Sequence, residues 1–287
     1  MTPLRFYIVI PAHNEADHIG KTLQSLVEQE LRPAAVVVVN DHSTDATPDI
    51  ADGFAQLHPW IKVVRHSSSH DHLPGAKIVE AFYCGFQTLD DQYDILCKFD
   101  ADLVFEKNYL ARLSHHFNQN KRLGMAAGQC YLQKNGTWIP ENLHHQDHIR
   151  GALKAYRKAC FIDIGQLAKS IGWDTLDEQL ARYYHWECLV DTTLKVKHLK
   201  PTGKNYTPGA EQLQGQATYR MRLGLLLTAI IALKRTWILQ KPKVFLSHLQ
   251  GYFKAKKENH PFIVDSKQGK FLRRHRWRGI FQRIKSI

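Results

Sequence analysis

The chain has 287 residues, of which 44% are hydrophobic and 23% are charged. These fractions are those of an ordinary globular protein, and the length allows one large domain or a domain with an appendage. The five cysteines are scattered singly, without CxxC spacing, which argues against a thiolate zinc site and indicates a reducing compartment. The first residues lack the charged and long apolar segments of a signal peptide, so we expect none.

The formal net charge of +12 is divided very unevenly along the chain. Residues 1–194 contain 18 Lys and Arg and 24 Asp and Glu, whereas residues 195–287 contain 21 and 3. The positive charge therefore belongs to the C-terminal third. Such asymmetry predicts a polyanionic partner for that part of the chain, either membrane phospholipid or nucleic acid.

Apolar runs typical of strands alternate with amphipathic helical patterns through the N-terminal third of the chain. Strands are expected at residues 6–10, 35–39, 61–65 and 95–99, and helices at residues 17–29, 47–57 and 76–89. The run at 35–39 has no polar face, as in a parallel sheet that is covered on both sides. This alternation predicts an α/β fold with an open, mostly parallel central sheet flanked by helices.

Polar side chains follow three of these predicted strands. Asp100 and Asp102 come directly after the fourth strand, while Asn14 with Glu15, and Asp41, follow the first two. Because ligands bind beyond the carboxyl ends of parallel strands, these side chains should meet in one crevice. Two carboxylates there can bind a hard divalent cation, with water and phosphate as further ligands. A lone Asp-x-Asp is more often a solvated acidic turn, because the motif is short and common, and it is the convergence of separate loops that favours the site.

The patterns in the rest of the chain are less regular. We expect a helix at residues 108–117, strands at 125–131 and 188–196, a segment at 144–160 that is helical at its later end, and a loop entering a helix at 172–178. A long helix is expected at residues 211–239. Its apolar stretch at 223–233 has eleven residues, too few to cross a bilayer, which needs roughly 20.

Four motifs resemble those of glycosyltransferase family 2 in their order and spacing. They are Pro-Ala-His-Asn-Glu at residues 11–15, Asn-Asp-His-Ser-Thr-Asp at 40–45, Gly-Ala-Lys at 75–77 followed by Gly85, and Asp-Ala-Asp at 100–102. The resemblance covers residues 5–200 and implies the GT-A (Rossmann-like) fold. It also implies metal-dependent, inverting transfer of a sugar from a nucleotide-sugar, expected to be a UDP-sugar, to a glycan or lipid-linked hydroxyl. The implied setting is bacterial-type cell-surface polysaccharide synthesis.

The resemblance further implies roles for the residues at matching positions. The donor-binding set is Pro11, His13, Asn14, Glu15, Asp41, Ser43, Lys77, Asp100 and Ala101. Within it, Asp41 would bond the uracil or its equivalent, and Asp100 would contact the ribose. The metal set is Asp102, Asp100 and His198, with Mn²⁺ or Mg²⁺ as the expected cofactor. The alternative for His198 is an ordinary surface histidine, because lysines surround it in the sequence.

The acceptor side of the site is expected at residues 172–178. Asp177 and Glu178 occupy the place of the family's Glu-Asp pair, in which a carboxylate removes the proton of the acceptor hydroxyl. Their order is inverted here, so either residue is a candidate base, and the alternative is that helix dipoles favour acids in a first turn. Trp173 is predicted to stack on an acceptor sugar, with packing under the loop as the alternative, and Asp174 is predicted to bind the acceptor.

We predict a glycosyltransferase domain at residues 1–208, with a nucleotide-binding part at 1–102 and an acceptor-binding part at 103–208. Residues 209–287 are expected to form a helical, basic extension. Its segment 267–287 interleaves basic with aromatic and aliphatic residues, so we expect it to rest on anionic lipid, with a solvated basic helix as the alternative. The expected location is cytoplasmic, peripheral on the inner face of the plasma membrane.

Other functions remain open from the residues alone. A sugar nucleotidyltransferase also uses an α/β sheet and acidic metal ligands, but it usually has a glycine-rich, basic phosphate loop after the first strand. A non-enzymatic polyanion-binding protein would use the basic C-terminal third, but this leaves the acidic crevice unexplained, so nucleic acid is the less favoured partner. A catalytically inactive relative is also consistent with His13 and with the inverted Asp-Glu order.

Overall fold

The computed structural model of the protein describes residues 3–67, 75–141, 148–200 and 209–285. The chain divides into two compact units. The first comprises Met1–Lys169 with Asp174–Thr202, and the second comprises Ser170–Trp173 with Gly203–Ile287. The predicted domain boundary at residue 208 lies outside the described residues and stays a prediction.

The N-terminal part of the first unit alternates strands and helices, as predicted. Its elements are β1 (Phe6–Ala12), α1 (Ile19–Val27), β2 (Ala35–Asp41), α2 (Thr47–Leu57), β3 (Ile61–His66), α3 (Ala76–Phe86) and β4 (Ile95–Phe99). These four strands are parallel and lie side by side in the order β3-β2-β1-β4. Residues 36–39 of β2 are fully buried, so the run without a polar face is covered on both sides of the sheet.

The second part of this unit extends the same sheet with mixed strand directions. Its elements are β5 (Leu103–Phe105), α4 (Tyr109–Gln119), β6 (Leu123–Lys134), β7 (Thr137–Pro140), β8 (Leu153–Arg157), α5 (Lys158–Asp163), α6 (Trp173–Tyr183) and β9 (Glu187–His198). The full sheet order is β3-β2-β1-β4-β8-β6-β9-β5, and β7 pairs with β6. Antiparallel pairing of β5 with β9 sets Leu103 opposite His198. The chain that leaves β4 therefore returns beside the end of β9.

The predicted helical character of residues 144–160 is wrong for most of its later end. Leu153–Arg157 is the strand β8, which pairs antiparallel with β4, and a helix begins only at Lys158. The pattern is misleading because Lys154 is fully buried in β8, where a charged residue normally marks a solvent-facing position. The segment 172–178, predicted as a loop entering a helix, does enter a helix, and α6 begins earlier than expected, at Trp173.

The second unit is helical. Its helices are α7 (Ala210–Arg220), α8 (Leu225–Leu239), α9 (Lys243–Lys257) and α10 (Ser266–Lys285). The single helix predicted at 211–239 is thus two helices, because the backbone between them takes left-handed φ angles of 55° at Arg222 and 80° at Gly224. In the described ranges, no helix combines the length and apolar character needed to span a bilayer.

Glycines let α7 and α9 approach closely. A Cβ atom at Gly215 would lie 1.8 Å from the backbone oxygen of His248, and one at Gly251 would lie 1.9 Å from that of Gln212. Neither position has room for a side chain, since the obstacle is backbone. These contacts join the two helices into the core of the second unit.

A glycine also sets how closely α3 packs on the parallel sheet. A Cβ atom at Gly85 would lie 2.6 Å from Val39 Cγ2 and 2.8 Å from Val9 Cγ1. We expect Gly85→Ala to lower the free energy of unfolding by about 1–3 kcal/mol through overpacking. The matched control is Gly53→Ala in α2, where no atom lies within 4 Å of the added Cβ and a gain of about 0.4–1 kcal/mol is expected. Urea unfolding measures both, and equal stabilities would contradict this packing account.

Candidate active site

The loops that follow β1 and β2 are joined by hydrogen bonds. The Nδ1 atom of His13 lies 2.5 Å from the backbone oxygen of Asp41, and the Asn14 amide donates to Ser43 Oγ at 3.0 Å. Asn14 has a left-handed φ of 53°, which a short polar side chain tolerates. Asp41 is buried at the end of β2. These predicted donor-binding residues therefore lie together at the carboxyl ends of the strands.

Other predicted donor-binding residues lie at the same edge of the sheet. Pro11 is the penultimate residue of β1. Lys77 is in the first turn of α3, which begins directly after Gly75. Ala101 is buried, and its backbone oxygen accepts a hydrogen bond of 2.7 Å from Thr22 Oγ1, which ties the loop after β4 to α1.

The two aspartates after β4 have different partners. Asp100 forms an ion pair with Lys98, whose fully buried side chain also donates to the Gly151 oxygen at 3.1 Å. Asp102 is itself buried, and its Oδ2 atom lies 3.3 Å from His198 Nε2. The structure thus brings the predicted metal ligands Asp102 and His198 together, while Asp100 is tied to a lysine.

His198 lies between two carboxylates. Its Nδ1 atom is 3.0 Å from Glu141 Oε2, and Arg150 Nη1 lies 2.9 Å from that same oxygen. Burial alone lowers the pKa of His198, but the hydrogen bonds and charges of Asp102 and Glu141 outweigh it and raise the pKa to about 9. An imidazole held on one nitrogen by a carboxylate has a fixed orientation, and its other nitrogen is aimed at Asp102.

These residues fit the divalent cation that the family resemblance implies. A carboxylate and an imidazole converge at 3.3 Å, and both types of ligand suit Mn²⁺. Among the described residues, ligand atoms of Cys130, Glu141 and His198 also lie within 4.8 Å of one another. Asp102 and His198 would hold the ion, with Glu141 behind the imidazole as its orienting partner.

Glu15 adds a further carboxylate to this acidic region. Burial raises the pKa of Glu15, as do the charges of Asp102 and Asp100, while Lys200 opposes the shift. Lys200 Nζ lies 2.5 Å from Glu15 Oε1, and the lysine side chain is 42% exposed. Lys200, which follows β9, thus adds a positive charge beside the carboxylates of this region.

The two predicted catalytic bases lie in a buried network on α6. Asp177 accepts from Lys154 Nζ at 2.8 Å and from the Tyr156 hydroxyl at 2.5 Å, so both of its oxygens are engaged. Burial raises the pKa of Asp177 to about 7, although Lys154 and Tyr156 act in the opposite direction. Burial alone would lower the pKa of Lys154, but Asp177 and Glu178 outweigh it and raise that pKa.

Both carboxylate oxygens of Glu178 have partners. Its Oε1 atom accepts from His148 Nδ1 at 2.8 Å and from the Ile149 amide at 2.9 Å, and its Oε2 atom lies 3.3 Å from Arg182. Burial would raise the pKa of Glu178, but Lys154 and His148 outweigh it and lower that pKa. The residue is 4% exposed, so its carboxylate has little contact with solvent.

Asp174 is the carboxylate of α6 that faces solvent. Its side chain is 34% exposed, and its Oδ2 atom lies 3.9 Å from His148 Nε2. His148 therefore stands between the exposed Asp174 and the buried Glu178. Trp173 begins α6, is buried, and belongs to the second unit. Its predicted stacking on an acceptor stays a prediction.

Sequence reasoning missed the cations and the carboxylate that hold these groups. Lys98 and Lys154 each carry a signal, since Lys98 is the charged residue of an otherwise apolar strand and Lys154 lies between two apolar residues of β8. Glu141 and Lys200 have no comparable signal, because they lie outside the strands and reach their partners only through the sheet topology.

The buried network gives a prediction about stability. Lys154→Met would leave Asp177 and Glu178 without their cation, and we expect a loss of about 3–5 kcal/mol. The loss should be smaller near pH 5 than near pH 8. Burial raises the pKa of Asp177 and Lys154 opposes that rise, so without the lysine Asp177 binds a proton in the folded state more readily, and the stability of the variant falls as pH rises.

Lys158→Met is the control, since that lysine is 35% exposed and its change should cost about 0–1 kcal/mol. Denaturant unfolding of both variants at the two pH values makes the comparison. A loss that is equal for the two lysines, or independent of pH, would contradict the network.

Comparison with known proteins places this fold in a class. The S. aureus protein TarS 1-349 in complex with UDP-GlcNAc aligns with a TM-score of 0.58 at 18% identity, over 88% of this chain and 73% of that one. A mannosyltransferase from Pyrobaculum calidifontis in complex with GDP-Man and Mn²⁺ aligns with a TM-score of 0.57 at 15% identity, over 100% of this chain and 83% of that one. The fold is the GT-A fold of glycosyltransferases.

The family follows from the sequence match. Residues 7–168 match the family model described as glycosyl transferase family 2, which is more than half of the chain. The chain belongs to glycosyl transferase family 2, a family of transferase enzymes, as its four motifs predict.

Curated relatives share part of this region. An undecaprenyl-phosphate mannosyltransferase from Micrococcus luteus is 35% identical over 111 residues, which is 38% of this chain and 43% of the relative. A beta-monoglucosyldiacylglycerol synthase from Synechocystis is 32% identical over 112 residues, 38% of this chain and 22% of the relative. The chain thus matches less than half the length of either relative.

Proposed function

We propose that the protein is a metal-dependent, inverting glycosyltransferase. It would move a sugar from a nucleotide-sugar, by resemblance a UDP-sugar, to a hydroxyl of a glycan or lipid-linked acceptor in bacterial-type cell-surface polysaccharide synthesis. The observation that carries the proposal is the meeting of Asp102 and His198, 3.3 Å apart, beyond the strand ends where the donor-binding loops converge. Membership of the family supports the reaction class.

The donor side would use the joined loops after β1 and β2. Asp41 would bond the base, and Asp100 would contact the ribose. When bound, a divalent cation would neutralise the charge that grows on the leaving nucleoside diphosphate. Asp102 and His198 would hold it, and Glu141 would keep His198 in the orientation that presents Nε2. Solved relatives in complex with UDP-GlcNAc and with GDP-Man leave both nucleotides as donors to test.

The acceptor hydroxyl needs a base that it can touch. Asp177 and Glu178, the residues that match the family motif, are buried and have their oxygens occupied by hydrogen bonds. Asp174 on the same helix has a side chain that is 34% exposed, and we propose that it takes the proton, with His148 beside it. Asp177 and Glu178 would then hold α6 in place through their buried contacts with Lys154, Tyr156 and His148.

A lipid-linked acceptor is supported by the names of two relatives. One is an undecaprenyl-phosphate mannosyltransferase and the other a beta-monoglucosyldiacylglycerol synthase. By the same resemblance, the protein would work at the inner face of the plasma membrane, with the basic C-terminal segment as its contact with anionic lipid. Charge favours this contact, because residues 195–287 carry 21 Lys and Arg and 3 Asp and Glu.

Calorimetric titration tests the donor site. UDP and GDP, each with and without Mn²⁺, should show binding of one nucleotide that depends on the ion. We expect Asp102→Asn and His198→Gln to weaken that binding at least about tenfold, because each removes a ligand of the ion. His260→Gln, at an exposed ion pair in the second unit, is the control and should bind normally. Nucleotide binding that is unaffected by Mn²⁺ and by both variants would refute the proposed site.

Matched variants of α6 test the base. Asp174→Asn should lower kcat about 10²–10⁴-fold with little change in melting temperature, because the carboxylate is partly exposed and its contact with His148 is long, at 3.9 Å. Asp177→Asn and Glu178→Gln should lower the melting temperature, because they disturb buried hydrogen bonds. If Asp174→Asn keeps full kcat while a folded Asp177→Asn or Glu178→Gln loses it, the base lies in the buried pair instead.

A further inference from the structure

One face of α8 exposes an apolar stripe to solvent. Leu226, Ile230, Leu233 and Trp237 recur at the i, i+4, i+7 and i+11 spacing that places them on one side of a helix. Leu226, Leu233 and Trp237 are 64%, 56% and 75% exposed, and Ile230 is half-buried. A tryptophan that is three-quarters exposed is costly in water, so the stripe requires an explanation.

The neighbouring helix α9 also exposes apolar side chains. Leu246 is 61% exposed and Phe253, two helical turns later, is 47% exposed. The buried side of α9 carries Val244, His248 and Tyr252 and faces the core of the second unit. We call the outward-facing residues Leu226, Ile230, Leu233, Trp237, Leu246 and Phe253 the α8–α9 apolar face. α8 and α9 pack against each other, so the two stripes belong to adjacent helices.

The surroundings of this face are strongly basic. The sequence has no Asp or Glu between Glu211 and Glu258. Glu211 is itself paired with Arg235 at 2.5 Å, so its charge is compensated. Exposed lysines lie on both helices and in the turn between them: Lys234, Lys241, Lys243, Lys254, Lys256 and Lys257. Apolar area flanked by lysines and free of acids is the composition of a surface that docks on anionic lipid.

The charge pattern selects lipid over a second copy of this chain. Two identical basic faces would repel each other across a self-association interface. Tryptophan and lysine also suit the headgroup region of a bilayer, where an aromatic ring and an ammonium group both find partners. α8 has 15 residues, so it is suited to lie on a bilayer rather than cross it.

We propose that the protein docks on anionic membranes through the α8–α9 apolar face. The tail helix α10 is less suited to supply the apolar anchor. Its Leu272 is fully buried, Phe271, Trp277 and Ile280 are half-buried, and Phe281 is the exposed apolar residue among its described side chains. The tail would add positive charge, while α8 and α9 enter the interface. This docking deepens the membrane contact in the proposed function, and the face shares no residue with the donor site.

Vesicle flotation of the full chain tests the docking. Vesicles of phosphatidylcholine mixed with phosphatidylglycerol should carry the protein, and vesicles of phosphatidylcholine alone should carry much less. The triple variant Leu226→Ser, Leu233→Ser, Trp237→Ser should bind at least about tenfold less, because apolar anchorage and charge act together. Leu57→Ser, at a leucine in the first unit that is 77% exposed, is the matched control and should float normally.

Further variants and measurements distinguish this docking from an anchor in the tail helix and from self-association. Phe281→Ser should leave flotation unchanged, and a loss as large as that of the triple variant would return the anchor to the tail and overturn the proposal. Flotation that the triple variant retains in full would also overturn it. So would a triple variant that only converts a dimer to a monomer in sedimentation velocity.

Binding of UDP or GDP in the presence of Mn²⁺ is measured by calorimetry for every variant. An unchanged far-UV circular dichroism spectrum shows that the helical second unit of a non-floating variant is folded, and intact nucleotide binding shows that its first unit is folded. Nucleotide binding also distinguishes failure of the docking from failure of the transferase site, because the two measurements use different residues.

Discussion

The pairing of β5 with β9 is the constraint on which the candidate site depends. The ladder sets Leu103 opposite His198, and Asp102 directly precedes β5, so a carboxylate and an imidazole from distant parts of the chain meet at 3.3 Å. A register slip of one residue would turn His198 to the other face of the sheet and separate the pair. The backbone bond from the Leu199 amide to the Asp102 oxygen, at 2.9 Å, extends the ladder past the strand and fixes the register where the site lies.

On the acceptor side of the site, carboxylates that are paired with a buried lysine form a rigid part, and a partly exposed carboxylate forms an accessible part. Lys154 lies beneath Asp177 and Glu178, and all three side chains are nearly inaccessible to solvent. Breaking such a buried cluster is costly, so it holds α6 in place and leaves its carboxylates little freedom to react. Asp174 and His148 sit at the outer end of this cluster, where a hydroxyl could approach. The helix α6 therefore carries both the buried carboxylates that anchor it, Asp177 and Glu178, and the partly exposed carboxylate of Asp174.

Much of the fold and part of the site could be predicted from the sequence. The parallel strands follow from apolar runs, and the convergence at their ends follows from the rule that parallel strands share an edge. The strand β8 could not be predicted, because buried Lys154 reverses the expectation that charge marks solvent. Glu141 likewise could not be assigned, since its contact with His198 depends on how β6, β7 and β9 pair. The break before α8 could have been predicted from Gly224, since glycine readily takes the left-handed φ that interrupts a helix there.

The central claim is that Asp102 and His198 together hold the cation of the donor site. Electron spin echo measurements on the protein with Mn²⁺ and UDP or GDP test it directly, because a coordinated imidazole nitrogen modulates the echo of the ion. The account predicts a histidine nitrogen signal that is present in the wild-type complex and absent in His198→Gln. Nucleotide-dependent Mn²⁺ binding with no histidine signal, or with a signal that persists in His198→Gln, would contradict it.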